Sequence, residues 1–274
     1  MDRLQAHRNF FAKLITASNG VSDGSLRDAF ASTPREDFVG PGPWKVLTSS
    51  GSVETPTDDP AFLYQDVLIA LQPDSSINNG QPSLHALCLA ALHVKEGETI
   101  VHVGAGSGYY TAILSKLTGP AGPVFAYEIE APLARRAAEN LSPYSNVTVY
   151  PRSGSVGPLP ACDVLYVNAG ATSPLDVWLD SLLPRGRLLF PLTPAEGFGG
   201  MLLVTRVARR LKARFVTRAL FIPCIGGRDN ETARRLVEAF KRPGFSSVRS
   251  LHRDNSPDDS CWFAGDGWWL SMRD

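Results

Sequence analysis

The stretch TIVHVGAGSGYYTA at residues 99–112 constrains this chain more than any other. A β-branched run enters three glycines at alternate positions, Gly104, Gly106 and Gly108, and leaves into an apolar helical pattern. Glycine supplies the left-handed backbone that a sharp turn needs and removes the side chain where a ligand must come close. The following helix offers free N–H groups and a positive dipole end. A dinucleotide fingerprint, G-x-G-x-x-G, would need a glycine at 109; Tyr109 stands there, which disfavours nicotinamide and flavin dinucleotides. About 20 residues further on, at the end of the next strand, an acid is expected to accept hydrogen bonds from both hydroxyls of a ribose. Glu128 directly follows VFAY. Strand, glycine loop, helix, strand and terminal acid together point to an adenosyl or other nucleoside ligand.

The surrounding pattern fits that unit. SLHALCLAALHV (83–94), YYTAILSKL (109–117) and PLARRAAENL (132–141) read as helices, with a short helix around 174–183. TIVHV, PVFAYEI, NVTVY, CDVLYVNAG and RLLFPL read as strands. Strands alternating with helices imply right-handed βαβ units and a parallel sheet covered on both faces. After residue 200, MLLVTRVA and ARFVTRALFI lie too close for a crossover helix and read as an antiparallel edge pair. NETARRLVEAF is a final helix, followed by two short apolar segments that hold Trp268 and Trp269. The first 40 residues read as helices, one opening at Ser22/Asp23 and stopping before Pro34; residues 40–60, rich in Pro, Gly, Ser and Thr, read as a long loop or lid. The expected organisation is an N-terminal helical and substrate-loop region over 1–82, a nucleoside-binding core over 83–210 and a C-terminal extension over 211–274, in one compact unit.

Charge excludes one large class of partner. Lys and Arg number 27 against 27 Asp and Glu in 274 residues, so the chain has no basic field with which to hold many phosphates, and no nucleic-acid partner is expected. The four cysteines are scattered with no C-x-x-C pair, as in a reducing compartment. MDRLQAHRNFFAKLI lacks the apolar core of a leader, and no apolar run approaches a membrane span. A cytoplasmic protein without a membrane partner is the expectation; no metal is expected, and the oligomeric state is not readable.

Six segments, AFASTPREDFV, LYQDV, SINNGQPSL, VGAGSGYYTA, YEIE and RLLFPL, stand in the order and near the spacings of the protein-L-isoaspartate O-methyltransferases. Over roughly residues 26–195 the chain resembles that family of class I S-adenosylmethionine-dependent methyltransferases. The resemblance implies a Rossmann-like α/β fold, a mostly parallel seven-stranded sheet, and S-adenosyl-L-methionine as cofactor. It implies that Gly104, Ala105, Gly106, Ser107, Gly108 and Tyr109 embrace the methionine and ribose parts, with His102 below the loop. Glu128, with Ile129 beside it, would hold the ribose, and Ser153 and Gly154 would border the adenine. The 76–83 segment falls where the family places its substrate-facing serine and its contacts to the cofactor carboxylate. Gln81 and Ser83 would serve the cofactor there, and Ser76, Asn78 and Asn79 the methyl acceptor. Asn79-Gly80 reads equally as a turn signal.

Four departures bear on specificity. His102 stands where the family usually has an acid, as does Ser153. The 76–83 segment is expanded by about two residues, and Gly199-Gly200 replaces amide side chains. Methyl transfer needs alignment and exclusion of water, and a carboxylate acceptor, ionised at neutral pH, needs no base. Ser107 fails the G-x-S-x-G elbow of hydrolases, and Asp58-Asp59 and Asp258-Asp259 read as solvated turns. The expected function is carboxyl methylation of isoaspartyl or aspartyl residues in a protein or peptide. The alternatives are a tailoring methyltransferase acting on a ribosomal peptide or small metabolite, and a non-catalytic cofactor-binding protein.

Overall fold

A computed structural model describes residues 2–72 and 77–274. The chain opens with α1 (Arg3–Ala17), α2 (Gly24–Ala31) and α3 (Glu36–Val39), then β1 (Lys45–Thr48), β2 (Gly51–Glu54) and β3 (Leu68–Ile69). The alternating region follows as α4 (Pro82–Leu92), β4 (Ile100–Val103), α5 (Tyr109–Thr118), β5 (Val124–Tyr127), α6 (Ala131–Asn140), β6 (Val147–Tyr150), β7 (Cys162–Val167), α7 (Asp176–Asp180) and β8 (Leu182–Leu192). It ends with β9 (Gly199–Val207), β10 (Arg210–Ala219), α8 (Asn230–Lys241), β11 (Ser250–His252), β12 (Cys261–Ala264) and β13 (Trp269–Ser271). Contacts divide the chain into two compact units, one of residues 1–98 with 105–152 and the other of 99–104 with 153–274.

In the first unit the N-terminal helices stand where the apolar spacing puts them. Asp23 caps α2 by accepting from the Leu26 N–H at 3.1 Å, a contact that satisfies one of the free donors of a first helical turn. Residues 40–60 are not all loop: β1 and β2 form a hairpin with Lys45 opposite Glu54 and Thr48 opposite Gly51, and β1 also pairs with β3. Four-residue strands flanked by Pro, Gly and Ser are too short to show a period of two above the turn signals, which is why the sequence hides them. Val39, Trp44, Leu63, Ile69, Leu71 and Leu133 pack together beneath them. The fully buried Arg35 guanidinium donates to the carbonyls of Leu63, Gln65 (2.8 Å) and Val67 (3.3 Å), and so fixes the path of the chain into β3. β5 and β6 run parallel in register Val124–Val147 to Tyr127–Tyr150.

The second unit holds eight strands in the order β12-β13-β11-β10-β9-β8-β7-β4. β4, β7 and β8 are parallel, with β4 and the Leu188–Leu192 end of β8 buried and β7 nearly so, as continuous apolar runs require when both faces are covered. The expected antiparallel pair is β9–β10, and the sheet continues beyond it through β11, β13 and β12. Phe215, Phe240, Phe245 and Trp262 pack as a ring cluster beside α8, with centroids 4.6–5.9 Å apart. Trp268 packs on Phe263 and Trp269 stacks on His252, both buried.

Candidate active site

The glycine loop is built by backbone geometry. Gly104, Gly106 and Gly108 have φ of +77°, +59° and +99°, values that a side chain makes costly. At Gly108, the N-cap of α5, a Cβ would also stand 2.8 Å from Leu141 Cδ1. Within the first unit the loop is tied down from three sides. The Ala105 N–H donates to the Tyr127 carbonyl at 3.1 Å, Gly108 N–H to the Ala105 carbonyl at 3.0 Å, and the Asn140 amide to the Ser107 carbonyl at 2.9 Å. Glu128 closes it: one carboxylate oxygen accepts from the Gly106 N–H at 2.6 Å and the other from the Glu130 N–H at 2.9 Å. Burial pushes the Glu128 carboxyl up, and those backbone donors pull it back. Ile129 beside it is 42% exposed. Tyr109 instead turns inward, packed on Phe30, Phe38 and Tyr110.

The 77–83 segment is also held internally. Ser76 lies outside the described residues. Leu71 N–H donates to the Ile77 carbonyl and Asn79 N–H to the Ile69 carbonyl, so the segment runs beside β3. Buried Asn79 accepts with its side-chain oxygen from the Ile69 N–H at 2.8 Å, and Asn78 accepts from the Gly80 N–H at 2.9 Å, an Asx turn. Gly80 has φ of +72°, and a Cβ there would meet His85 Nε2 at 2.1 Å; His85 in turn stacks on Tyr110 at 3.6 Å. Asp66 fastens the start of α4, accepting from the Ser83 N–H (2.8 Å), the Ser83 hydroxyl (2.6 Å) and the Gln81 amide (3.0 Å). The sequence reading passed over Asp66 as a site residue, although LYQDV placed an acid just ahead of the segment it anchors.

In the second unit His102 is fully buried on β4, and burial holds its pKa down to about 3, so the ring is neutral. It stacks on Tyr166, its register partner on β7, and its Nε2 lies 2.7 Å from the Asn168 amide nitrogen. Asn168 follows the C-terminal end of β7 and packs against Gly104, where an added Cβ would stand 3.4–3.5 Å from it. Its side-chain oxygen is buried and has no hydrogen-bond partner among the described residues. Sequence reasoning missed Asn168; the available signal was a polar residue at the carboxyl end of a parallel strand, where open α/β sheets place ligands. Ser153 donates to the Ser155 hydroxyl (2.6 Å), which donates to the Ile225 carbonyl, and the Trp178 indole donates to the Gly154 carbonyl at 2.8 Å. The 153–154 loop is therefore pinned rather than free.

These features fit an S-adenosyl cofactor. Each glycine sits where a Cβ would be strained, and Glu128 in the first unit presents a carboxylate with acceptor capacity remaining after its N–H bonds. Within the first unit, Gly106 and Glu128 are the residues that would hold a ribose.

The model of the protein-L-isoaspartate(D-aspartate) O-methyltransferase family (PCMT) matches residues 6–229. The protein-L-isoaspartate O-methyltransferase of Bradyrhizobium sp. (strain ORS 278) is 29% identical over 217 residues, covering 78% of this chain and 92% of its own length. That of Methylorubrum extorquens (strain PA1) is 30% identical over 234 residues, covering 82% and 91%. Among solved structures, a protein-L-isoaspartate O-methyltransferase aligns with a TM-score of 0.66 at 20% identity over 89% of this chain and 71% of its own. A Plasmodium falciparum structure described as a protein-L-isoaspartate O-methyltransferase, in complex with S-adenosyl-L-homocysteine, aligns with a TM-score of 0.64 at 16% identity over 80% and 98%. The two structures establish the shared α/β methyltransferase fold, and the match over 6–229 establishes that the chain belongs to the protein-L-isoaspartate(D-aspartate) O-methyltransferase family.

Proposed function

We propose that this chain methylates the side-chain carboxylate of an isoaspartyl or aspartyl residue in a protein or peptide, using S-adenosyl-L-methionine. The observation that carries the reading is the buried Glu128 carboxylate fastened to the Gly106 N–H, in a chain matched to the family across 6–229. The cofactor supplies an electrophilic methyl on a sulfonium. The chain's own residues bind, align and exclude water. No general base is needed for a carboxylate nucleophile, and the buried, neutral His102 is suited to holding a neighbour, not to moving a proton. The 77–83 segment, fixed by Asp66, Ile69 and Tyr110, is the frame on which we place acceptor positioning, with Asn78 and Asn79 acting by holding its backbone. We place the activity in the cytoplasm. Supporting that are cysteines that form no disulfide, with Cys162 and Cys224 pushed by burial to about 12 and about 11 and thus inert. No helix of the described residues is long and apolar enough to cross a membrane.

Incubation with methyl-labelled cofactor and an isoaspartyl peptide, beside its normal aspartyl twin, tests the acceptor. Base-labile label on the isoaspartyl peptide alone is expected; equal labelling of the two refutes isoaspartyl selectivity. One observation favours a second reading, tailoring of a particular ribosomal peptide. Residues 230–274 lie beyond the family match yet form α8 and β11–β13 around their own ring cluster. Methylation of a precursor peptide encoded beside this gene, with generic isoaspartyl peptides untouched, would select it.

A further inference from the structure

The chain is electrically neutral as a whole, yet its charges are unevenly spread. Residues 205–218 carry Arg206, Arg209, Arg210, Lys212, Arg214 and Arg218 without one acid, and they span the turn of the β9–β10 hairpin in the second unit. Alternate residues of a strand share a face, so Arg210, Lys212 and Arg214 line one side of β10 at intervals of about 7 Å. On that side Val207, Thr205 and Leu203 of β9 stand opposite them, and Arg187 of β8 stands opposite Thr205. α7 and α8 lie on the other side. Phe240 of α8 packs on Phe215 and Trp178 of α7 packs on Phe190, and both phenylalanines are register partners of Leu202, one residue out of phase with Leu203.

The basic side holds a groove of about 440 Å³, with Leu203 and Thr205 at its floor and Lys212, Arg214, Arg249 and Asp274 around it. Leu203 is buried and the three cations are exposed. Arg249 is steadied by the carbonyls of Ser246 (2.9 Å) and Val248 (2.8 Å). The acid in the lining is Asp274, whose carboxylate lies 3.7 Å from Lys212 Nζ, with both side chains more than half exposed. A pair that long and that wet contributes little, so its carboxylate is readily exchanged for another. Three cations against one carboxylate leave the groove positive over an apolar floor. A carboxylate already seated there indicates which anion it takes. An extended peptide sets alternate side chains about 7 Å apart, the interval of Arg210, Lys212 and Arg214, so acids at alternate positions can each meet a cation. Single-stranded nucleic acid is the poorer fit. No aromatic ring lines the groove for a base to stack on, and the neutral chain has no long-range field to gather a polyphosphate.

We propose that this side of β9–β10 docks an acidic, extended segment of another protein, whose carboxylates pair with Lys212, Arg214 and Arg249 in place of Asp274 and whose apolar side chain rests on Leu203. The docking is independent of cofactor binding and of which residue is methylated. Fluorescence anisotropy of a labelled Leu-Asp-Ser-Asp-Ser-Asp peptide, beside its twin with Asn in place of Asp, tests it on the full chain at low salt. The acidic peptide is expected to bind about five-fold tighter than its twin or more, and the double variant Lys212→Gln/Arg214→Gln is expected to lose that preference. The urea midpoint of the double variant reports that it is folded. Arg209→Gln, at the turn and outside the groove lining, is expected to leave the affinity within about two-fold of the wild type. Asp274→Asn removes the resident carboxylate and is expected to tighten the acidic peptide by about two-fold or more. Equal binding of the two peptides, or a double variant that binds the acidic one as tightly as the wild type, overturns the proposal. So does a loss in Arg209→Gln as large as in the double variant, which would mean diffuse attraction, or an Asp274→Asn variant that binds no tighter than the wild type. Tighter binding of a six-nucleotide oligothymidylate or of phosphatidylserine vesicles than of the acidic peptide, abolished in the double variant, identifies another class of partner and overturns it as well.

Discussion

The glycine loop and the 77–83 segment are both polar, glycine-containing turns that lead into helices, and they spend their polar groups in opposite ways. In the loop the bonds are made by backbone, and Glu128 accepts two N–H groups with capacity left for a ligand. In the segment nearly every amide side chain is committed inside the protein: Asn79 to Ile69, Asn78 to Gly80, and Gln81 to Asp66. The first leaves acceptor valences open. The second is a built frame, in which the side chains that look most like ligand contacts hold the backbone that a substrate would meet.

The sharpest way to break this contrast is to disturb the frame at its tightest point. Gly80→Ala places a Cβ 2.1 Å from His85 Nε2 at a φ of +72°, and His85, stacked on Tyr110, cannot yield without losing that stack. Left-handed strain and overpacking together should cost about 3 kcal/mol or more of stability, read as a drop in the urea midpoint. A shift below about 0.5 kcal/mol would show that the segment is loosely held and that its amides are available to ligands. Asp66→Ala comes next. It strips the partner from the Ser83 N–H, the Ser83 hydroxyl and the Gln81 amide, for an expected loss of about 2 kcal/mol. If the frame positions the acceptor, KM for the peptide rises while the affinity for S-adenosylhomocysteine stays within a few-fold. A loss of cofactor affinity alone would move Asp66 to the other side of the comparison.

The difference between the two regions also decides what could be read from the residues. The loop was legible because its chemistry is written in backbone-dictating residues at fixed spacing: three glycines, a helix start and an acid after VFAY specify their own conformation. The alternation from 83 to 192 was legible for the same reason, since apolar periodicity survives without tertiary information. The hairpin at 45–54 was not, because Val46 and Leu47 sit in four-residue strands whose pairing with Ile69 and Leu68 depends on a segment twenty residues away. Asn78 and Asn79 could be read as ligand contacts or as a turn, and only the positions of Ile69 and Gly80 show where their oxygens point. Asn168 was silent because its environment comes from Gly104 and His102, more than sixty residues upstream.

The smallest predicted effect tests the open side of the comparison and has a sign fixed by linkage. Burial is the leading influence on Glu128 and raises its pKa above the ordinary 4.5, so the native state binds a proton more readily than the unfolded chain does. Its contribution to stability is then fully present below pH 4.5 and lost as the pH rises through the raised native value. Glu128→Gln cannot titrate, so the stability of the wild type minus that of the variant should decline from pH 4 towards pH 7, measured by urea unfolding across that range. Over the same span the variant should bind S-adenosylhomocysteine more weakly by about 1 kcal/mol at neutral pH, because one amide oxygen replaces two carboxylate oxygens already shared with the Gly106 and Glu130 N–H groups. A stability difference that grows with pH would mean that those N–H bonds outweigh burial. Glu128 would then be a structural clasp like Asp66, and the contrast between an open loop and a closed frame would fail at its strongest residue.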